Sequence, residues 1–386
     1  MQTLFENITR ILGLIYNMVV DVIYYLLNPF HIPKRYRHKR AKAFKSFTGV
    51  KDKKVASYEK VKRNSSNPLI TPRSYNEWER EGTFNPAVWE DASGALHMMY
   101  RAVGADGVSR LGYAHSIDGV NFNRLPHPVL ELNFYDLGGA SVPRVPNFTL
   151  FPSGGSWGGV EDPRMVEIDG KIYVTFGVIN TWSFVRMAVV SISKEDFLAH
   201  RWNWSTPVLL SPEGEVHKNW VLFPEKIHGK FAVLHSITPH IQIDYIDSFE
   251  EIGRGKRKIK SVHEQKEERK TWDSKLRGVG CPPIRTKYGW LVLYHAVDKR
   301  EPDKYKLGAF LLDINEPTKI LAQCPLPILT PDMWYENESK SGVVYVSGAI
   351  LSDDWLDIYY GGGDKYVCHA HIPAKDFFKL LLDNRV

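Results

Sequence analysis

From Phe84 onward the pattern of apolar and polar positions repeats. Each unit opens on a Pro- or Gly-containing turn, continues into a short strand, crosses a polar turn and enters a strongly apolar strand. The opening turns are Phe84-Asn85-Pro86, Glu161-Asp162-Pro163, Leu222-Phe223-Pro224, Cys281-Pro282-Pro283 and Val346-Ser347-Gly348. The matching apolar strands are Leu96–Arg101, Ile172–Gly177, Phe231–Ser236, Trp290–His295 and Leu356–Gly361. Asp169-Gly170, His228-Gly229 and Tyr288-Gly289 supply hairpin turns between the two. Successive units start 77, 61, 59 and 65 residues apart. Units of about sixty residues with about four short strands have the size of propeller blades. The pattern therefore predicts an all-β chain, a five-bladed β-propeller over residues 67–386. A β-sandwich gives no reason for one start motif to recur five times.

A propeller brings equivalent positions of its innermost strands to one axis. Asn85, Asp162, Glu225 and Ser347 are expected to approach one another there, with Arg101, Ser236 and His295 from the ends of the following strands. Convergent polar groups in a concave site are the default expectation for an active site.

The N-terminal pattern is different. Between Phe5 and Leu27, a helical period puts Glu6, Arg10, Gly13, Asn17, Asp21 and Asn28 on one narrow stripe. Ile8, Ile11, Leu12, Ile15, Val19, Val22, Ile23 and Leu26 form the broad opposite face. An unpaired Asp in mid-span costs a few kcal/mol in lipid. Residues 1–32 thus read as an amphipathic helix lying at a membrane surface; docking on the body or on a second copy of the chain is the first alternative, and a single-pass anchor the second. Residues 33–66 read as a basic linker.

Charge sharpens this division. The chain carries +6 overall, but residues 33–63 alone hold 13 Lys and Arg against Asp52 and Glu59, a net +11 that leaves −5 for the rest. The body is mildly acidic, which removes support for a nucleic-acid-binding protein. The basic segment suits an anionic membrane surface reached through residues 1–63. Cys281, Cys324 and Cys368 show no metal-ligand spacing and form no even set. They point to a reducing compartment without a disulfide framework. The expected location is cytoplasmic, with peripheral attachment to the inner face of the membrane, and a homo-oligomer is compatible with the pattern. No Rossmann fingerprint, P-loop or metal motif is present, so neither metal nor organic cofactor is expected.

The stretch Gly159-Val160-Glu161-Asp162-Pro163-Arg164 carries the most chemistry. The proline fixes φ and restricts Asp162, and an arginine offers a planar fork to a carboxylate. An acid held this rigidly is a catalytic candidate; a turn with a surface ion pair is the alternative.

Together with Phe84-Asn85-Pro86-Ala87, Ser109-Arg110-Leu111-Gly112-Tyr113-Ala114, Lys218 to Lys226, Gly278 to Pro283, Trp290 to His295 and Tyr359 to Asp364, this stretch resembles glycoside hydrolase family 130. The family comprises β-mannoside phosphorylases and related mannosidases. The resemblance runs from about Asn67 to Asp383. It implies a five-bladed propeller with a central site, in which Asp162 is the general acid for inverting cleavage of a β-mannosidic bond, its proton relayed through a mannose hydroxyl. It implies mannosyl-binding roles for Asn85, Arg101 and Asp364, with Arg110 in the binding set or bracing it. It also implies a phosphate site at Lys218, Arg277 (or Lys275) and His295.

One position departs from the family. Ser236 stands where the phosphorylases have an arginine. A lost charge-assisted contact is worth about 1.5–3 kcal/mol, yet a serine supplies no water-activating base. The expected reaction is phosphorolysis of β-1,2- or β-1,4-linked manno-oligosaccharides or mannosyl-glucose, giving mannose 1-phosphate with inorganic phosphate as co-substrate. The alternatives are a β-mannosidase, with Glu225 or behind it Glu161 as base, and a non-catalytic glycan-binding propeller. Trp220 and Tyr305 are candidates to stack on sugar, though core packing is the commoner fate of such aromatics.

Overall fold

The computed structural model describes residues 58–132, 158–180, 184–262 and 271–385. The predicted N-terminal helix and most of the basic segment lie outside the described residues. Among the described residues, no helix is long and apolar enough to cross a membrane.

The fold is all-β, and strands follow the sequence repeats. After the short β1 (Lys62–Arg63), the first unit holds β2 (Gly82–Glu90), β3 (Leu96–Val103), β4 (Val108–Ser116) and β5 (Asn123–Arg124). The second holds β6 (Gly158–Ile168), β7 (Lys171–Asn180), β8 (Phe184–Ser193) and β9 (Val208–Leu209), with helix α1 (Lys194–Leu198). The third holds β10 (Val221–Leu222), β11 (Phe231–Ser236) and β12 (Gln242–Ile246), followed by α2 (Phe249–Gly253). The fourth holds β13 (Lys275–Val279), β14 (Ile284–Thr286), β15 (Gly289–Asp298), β16 (Glu301–Leu312) and β17 (Ile320–Gln323). The last holds β18 (Val344–Leu351), β19 (Trp355–Gly362), β20 (Tyr366–Pro373) and α3 (Ala374–Leu382).

These strands form four sheets rather than five, because the first two units are hydrogen-bonded into one sheet of eight strands. The join is a short parallel pairing of β4 with β6, Val108 to Gly158 and Ser109 to Gly159. Gly159 permits it: its φ is +102°, and a Cβ there would sit 2.0 Å from the Ser109 carbonyl oxygen.

Second strands are buried along their whole length in β3 and β15. Both faces are covered, so the runs are continuously apolar rather than alternating. One core cluster joins Met99 and Tyr113 of the first unit to Val174 and Phe176 of the second. Another joins Tyr173 and Met187 to Trp220 and Val233 of the third. Phe223 meets Trp290 edge-on at 5.0 Å, linking third to fourth. Leu291 and Leu307 pack with Tyr360 and Ile372 of the last unit, and Tyr359 and Val367 pack with Met98 and Tyr100 of the first. All three cysteines are buried free thiols, and burial pushes those of Cys281 and Cys324 up to about 12.

The folded body starts before residue 67. β1 pairs with β20, Lys62 to His371 and Arg63 to Ala370. Arg63 also forms an ion pair of 2.7 Å with the fully buried Glu336. Residues 58–66, expected in the linker, thus close the last sheet; their basic residues hide this in the sequence because the guanidinium of Arg63 is spent on a buried carboxylate.

Candidate active site

Three of the five opening turns prove to be bulges in the first long strand of their units. The register of β2 on β3 slips between Phe84 and Ala87, that of β6 on β7 between Glu161 and Arg164, and that of β18 on β19 between Val346 and Gly348. Bulges re-aim side chains. Asn85 and Asp162 take the left-handed conformation, with φ of +50° and +53°, which Asn and Asp tolerate better than other non-glycine residues. The two re-aimed side chains meet: Asn85 Nδ2 donates to Asp162 Oδ1 at 2.7 Å. Gly361 of β19 presses on the same point, where a Cβ would lie 2.1 Å from Asn85 Oδ1. Asn85 Oδ1 and Ser347 Oγ are buried without a hydrogen-bond partner among the described residues. Buried groups left this way in a native fold call for an explanation, and a ligand hydroxyl is one.

Cations surround the acid. Arg101, at the end of the apolar strand β3, places NH1 3.2 Å from Asp162 Oδ1 and 2.8 Å from Glu161 Oε2. Its Nε donates to Ser109 Oγ at 2.9 Å, which fixes the guanidinium plane. Lys218 Nζ lies 3.0 Å from Glu161 Oε1. Burial works to raise the Asp162 pKa, but Arg101, Arg164, Lys218 and the Asn85 hydrogen bond together hold it well below the usual carboxylate range.

Arg164 does not make the surface ion pair that its sequence context suggested. It is buried and donates to the carbonyls of Gly280 at 2.8 Å and Asp162 at 2.5 Å, to Asn219 Oδ1 at 3.1 Å and to the Tyr345 hydroxyl at 3.2 Å. Tyr345 also donates to Asn219, and its ring stacks on His295 with centroids 4.1 Å apart. His295 is fully buried, and its Nε2 accepts the Val346 N–H at 2.8 Å. Burial, then the positive field of Arg164, push its pKa down to about 3. At neutral pH this histidine therefore brings no positive charge to an anion. Its Nδ1 has no partner among the described residues.

Asp364 follows Gly361-Gly362-Gly363 and is itself left-handed, with φ +50°. It pairs with Lys340 at 2.9 Å and contributes to the negative field around Arg101. Arg277 is exposed and rests on Tyr305, donating to its hydroxyl through Nε at 2.9 Å and NH2 at 2.6 Å.

Other expected members sit elsewhere. Arg110 is held by Asp106 at 2.7 Å and Glu131 at 3.0 Å. Its alternating strand position turns it from the acid that Arg101 faces. Glu225 does not join Asp162; it makes a largely exposed 2.5 Å pair with Arg285 of the next unit. Ser236 turns to its own loop, with Oγ 2.7 Å from the Thr238 carbonyl and 3.1 Å from that of Val262. Trp220 is a core residue, packed between His217 and His235.

Among the described residues, Asp357, His369 and His371 are the group whose ligand atoms approach closely enough to hold a metal ion, all within 4.8 Å. They lie on β19 and β20. Lys62 is paired with His371 across the sheet, and its charge opposes that of a bound cation.

The centre thus holds one acid with a hydrogen bond from Asn85 and cations on several sides. Comparison with known proteins identifies it. The sequence profile described as β-1,4-mannooligosaccharide phosphorylase, that of glycoside hydrolase family 130, matches residues 51–382. The chain belongs to this family. It is 35% identical over 326 residues to a 1,2-β-oligomannan phosphorylase of a Thermoanaerobacter species, covering 82% of this chain and 98% of that one. A β-1,2-mannobiose phosphorylase of the same organism is 32% identical over 330 residues, again with 82% and 98% covered. Among solved structures, the β-1,2-mannobiose phosphorylase of Listeria innocua in complex with β-1,2-mannobiose superposes with a TM-score of 0.62. It is 23% identical, and the match covers 83% of this chain and 99% of that one.

Several members of the centre escaped sequence reasoning. Tyr345, Asn219 and Lys340 lie in no motif with an acid or base role. Asn219 carried a signal nonetheless, since it sits inside the family string Lys218 to Lys226; the structure adds that it takes a left-handed φ of +64°. Lys340 carried none, being one charge in a long polar loop.

Proposed function

We propose that this family 130 chain catalyses inverting phosphorolysis of β-mannosides, releasing mannose 1-phosphate, with Asp162 as general acid. The observation that supports this reading best is the state of the carboxylates. An inverting hydrolase needs a second carboxylate to activate water. Glu161 is clamped between Arg101 at 2.8 Å and Lys218 at 3.0 Å, and Glu225 is paired outside the centre. Neither is suited to act as a base, whereas phosphate needs none. Asn85, Arg101 and Asp364 would hold the mannosyl unit, and Lys218 and Arg277 the phosphate. Phosphate oxygen attacks C1 from the face opposite the leaving group while the glycosidic oxygen takes the proton that originates on Asp162.

The five repeat units are read as blades of a five-bladed β-propeller around this centre, a reading supported by the packing of each unit on the next and of the last on the first. The two relatives matched along 98% of their own length act, by their names, on β-1,2-linked mannosides, so that linkage is the proposed substrate class.

Incubation with β-1,2-mannobiose, with and without phosphate, tests this. Phosphorolysis gives α-mannose 1-phosphate only when phosphate is present; equal release of free mannose in both tubes would refute it and favour the mannosidase.

A further inference from the structure

Phosphate carries between one and two negative charges at neutral pH, and most cations of the centre are already engaged by protein groups. Ser236 replaces the expected arginine and its hydroxyl is committed to the Thr238 and Val262 carbonyls. His295 is buried and neutral. Lys218 already faces Glu161. Arg277 has no carboxylate partner among the described residues and lies 5.3 Å from the centroid of the Tyr305 ring.

A second cation flanks the same ring. Lys340 Nζ is 5.8 Å from the Tyr305 centroid. The loop that carries it is anchored on both sides. The Asn337 side chain accepts the Gly342 N–H at 3.0 Å, and Tyr305 N donates to the Gly342 carbonyl at 2.8 Å. The Lys340 backbone N–H donates to Gly363 O at 2.8 Å. Its side chain, by contrast, is 48% exposed, and among the described residues its ion-pair partner is Asp364. A fixed backbone and a flexible four-carbon stem let the ammonium change partners without moving the loop.

We propose that Lys340 supplies phosphate with the charge that Ser236 does not, and that Asp364 holds this ammonium beside the site until a mannosyl unit claims the carboxylate. This deepens, and rests on, the phosphorolysis reading. Sugar hydroxyls that take over Asp364 release Lys340 toward the anion next to Arg277 and Tyr305. Mannoside binding then strengthens phosphate binding, and by linkage phosphate strengthens mannoside binding by the same factor.

The test is calorimetric titration of the full chain with inorganic phosphate, alone and with mannose present, for wild type, Lys340→Met and Lys340→Arg, paired with the KM for each substrate. Lys340→Met should weaken phosphate binding between about ten- and a hundredfold, the effect of one charge-assisted contact. It should leave the mannoside KM within about threefold and abolish the enhancement by mannose; Lys340→Arg should recover most of the phosphate affinity. Matched melting curves exclude unfolding. If wild type binds phosphate and Lys340→Met binds it equally, or loses only mannoside affinity, the assignment of Lys340 is wrong and phosphorolysis stands. If wild type binds no phosphate in either condition, both readings fail.

Discussion

Asn85 and Asp162 stand 77 residues apart on two different strands, β2 and β6, yet each occupies the same left-handed bulge position, and Asn85 Nδ2 donates to Asp162 Oδ1 at 2.7 Å. The repeat thus does chemical work at its seam: one local backbone device, used twice, makes an acid and its partner. Asp162→Asn keeps shape and backbone tolerance but removes the proton. General acid catalysis typically contributes about 10²–10⁴-fold, so turnover of β-1,2-mannobiose should fall by that factor. Phosphate binding by calorimetry should be retained or strengthened, because a negative charge beside the anion is removed. A variant retaining a tenth of wild-type kcat would exclude Asp162 as the acid.

The low Asp162 pKa sets a condition on that chemistry. In the free site Asp162 is ionised at neutral pH, whereas a general acid must be protonated. A phosphate dianion entering beside Lys218 and Arg277 offsets the positive field that depresses it, so the pKa should rise on binding. Activity that depends on a protonated acid falls as pH rises through its pKa. The alkaline limb of the rate should therefore lie at higher pH under saturating phosphate than under limiting phosphate. Coincident limbs at both phosphate levels would contradict this account.

The strands and the recurring start motif were legible in the sequence, because each is written in short-range terms: Pro and Gly turns, apolar runs and hairpin glycines. Partnerships across units were legible only in part. Glu161 and Arg164 sit within three residues of each other and look like an ion pair, but the bulge sends Glu161 to Arg101 and Lys218 and sends Arg164 to carbonyls, Asn219 and Tyr345. Glu225 occupied an equivalent start motif, yet β10 is only two residues long, and the side chain leaves the centre for Arg285. In sequence His295 looked like an anion ligand; its burial, a tertiary property, makes it neutral. Residues 58–66 looked like linker because a charge run hides one buried ion pair.

Gly361 tests how tightly the Asn85–Asp162 pair is held. Gly361 opens the glycine run before Asp364, and its close neighbour is protein. A Cβ there would lie 2.1 Å from Asn85 Oδ1 and 2.9 Å from its backbone nitrogen. Part of the clash is with backbone, so side-chain rotation alone cannot relieve it. Gly361→Ala should lower kcat/KM for the mannoside by at least about a hundredfold, the scale expected for a misplacement near 1 Å. Asn85→Ala in the same background should then add little, because the two changes act on one contact. Multiplicative losses in a double-mutant cycle would show that Gly361 acts elsewhere.

His295 gives a prediction in a separate pH window. Its folded pKa of about 3 lies below the unfolded value of about 6.5. The unfolded chain therefore takes up a proton between these values that the folded chain refuses. Stability is complete above about pH 6.5 and falls as the pH drops toward 3, by about 1.4 kcal/mol per pH unit at the steepest. Asp162 has a depressed carboxylate pKa, so its own contribution is lost only below about pH 4 and does not mask the effect at pH 5. His97, His200, His217 and His371 also have lowered values, but they are common to both proteins and cancel in a difference. His295→Gln can keep an acceptor for the Val346 N–H and cannot titrate. Denaturant unfolding at pH 7 and pH 5 should show wild type losing about 2 kcal/mol more than the variant across that interval. Parallel losses would mean that His295 is already charged in the folded site, and it would then regain its place as a cationic ligand for phosphate.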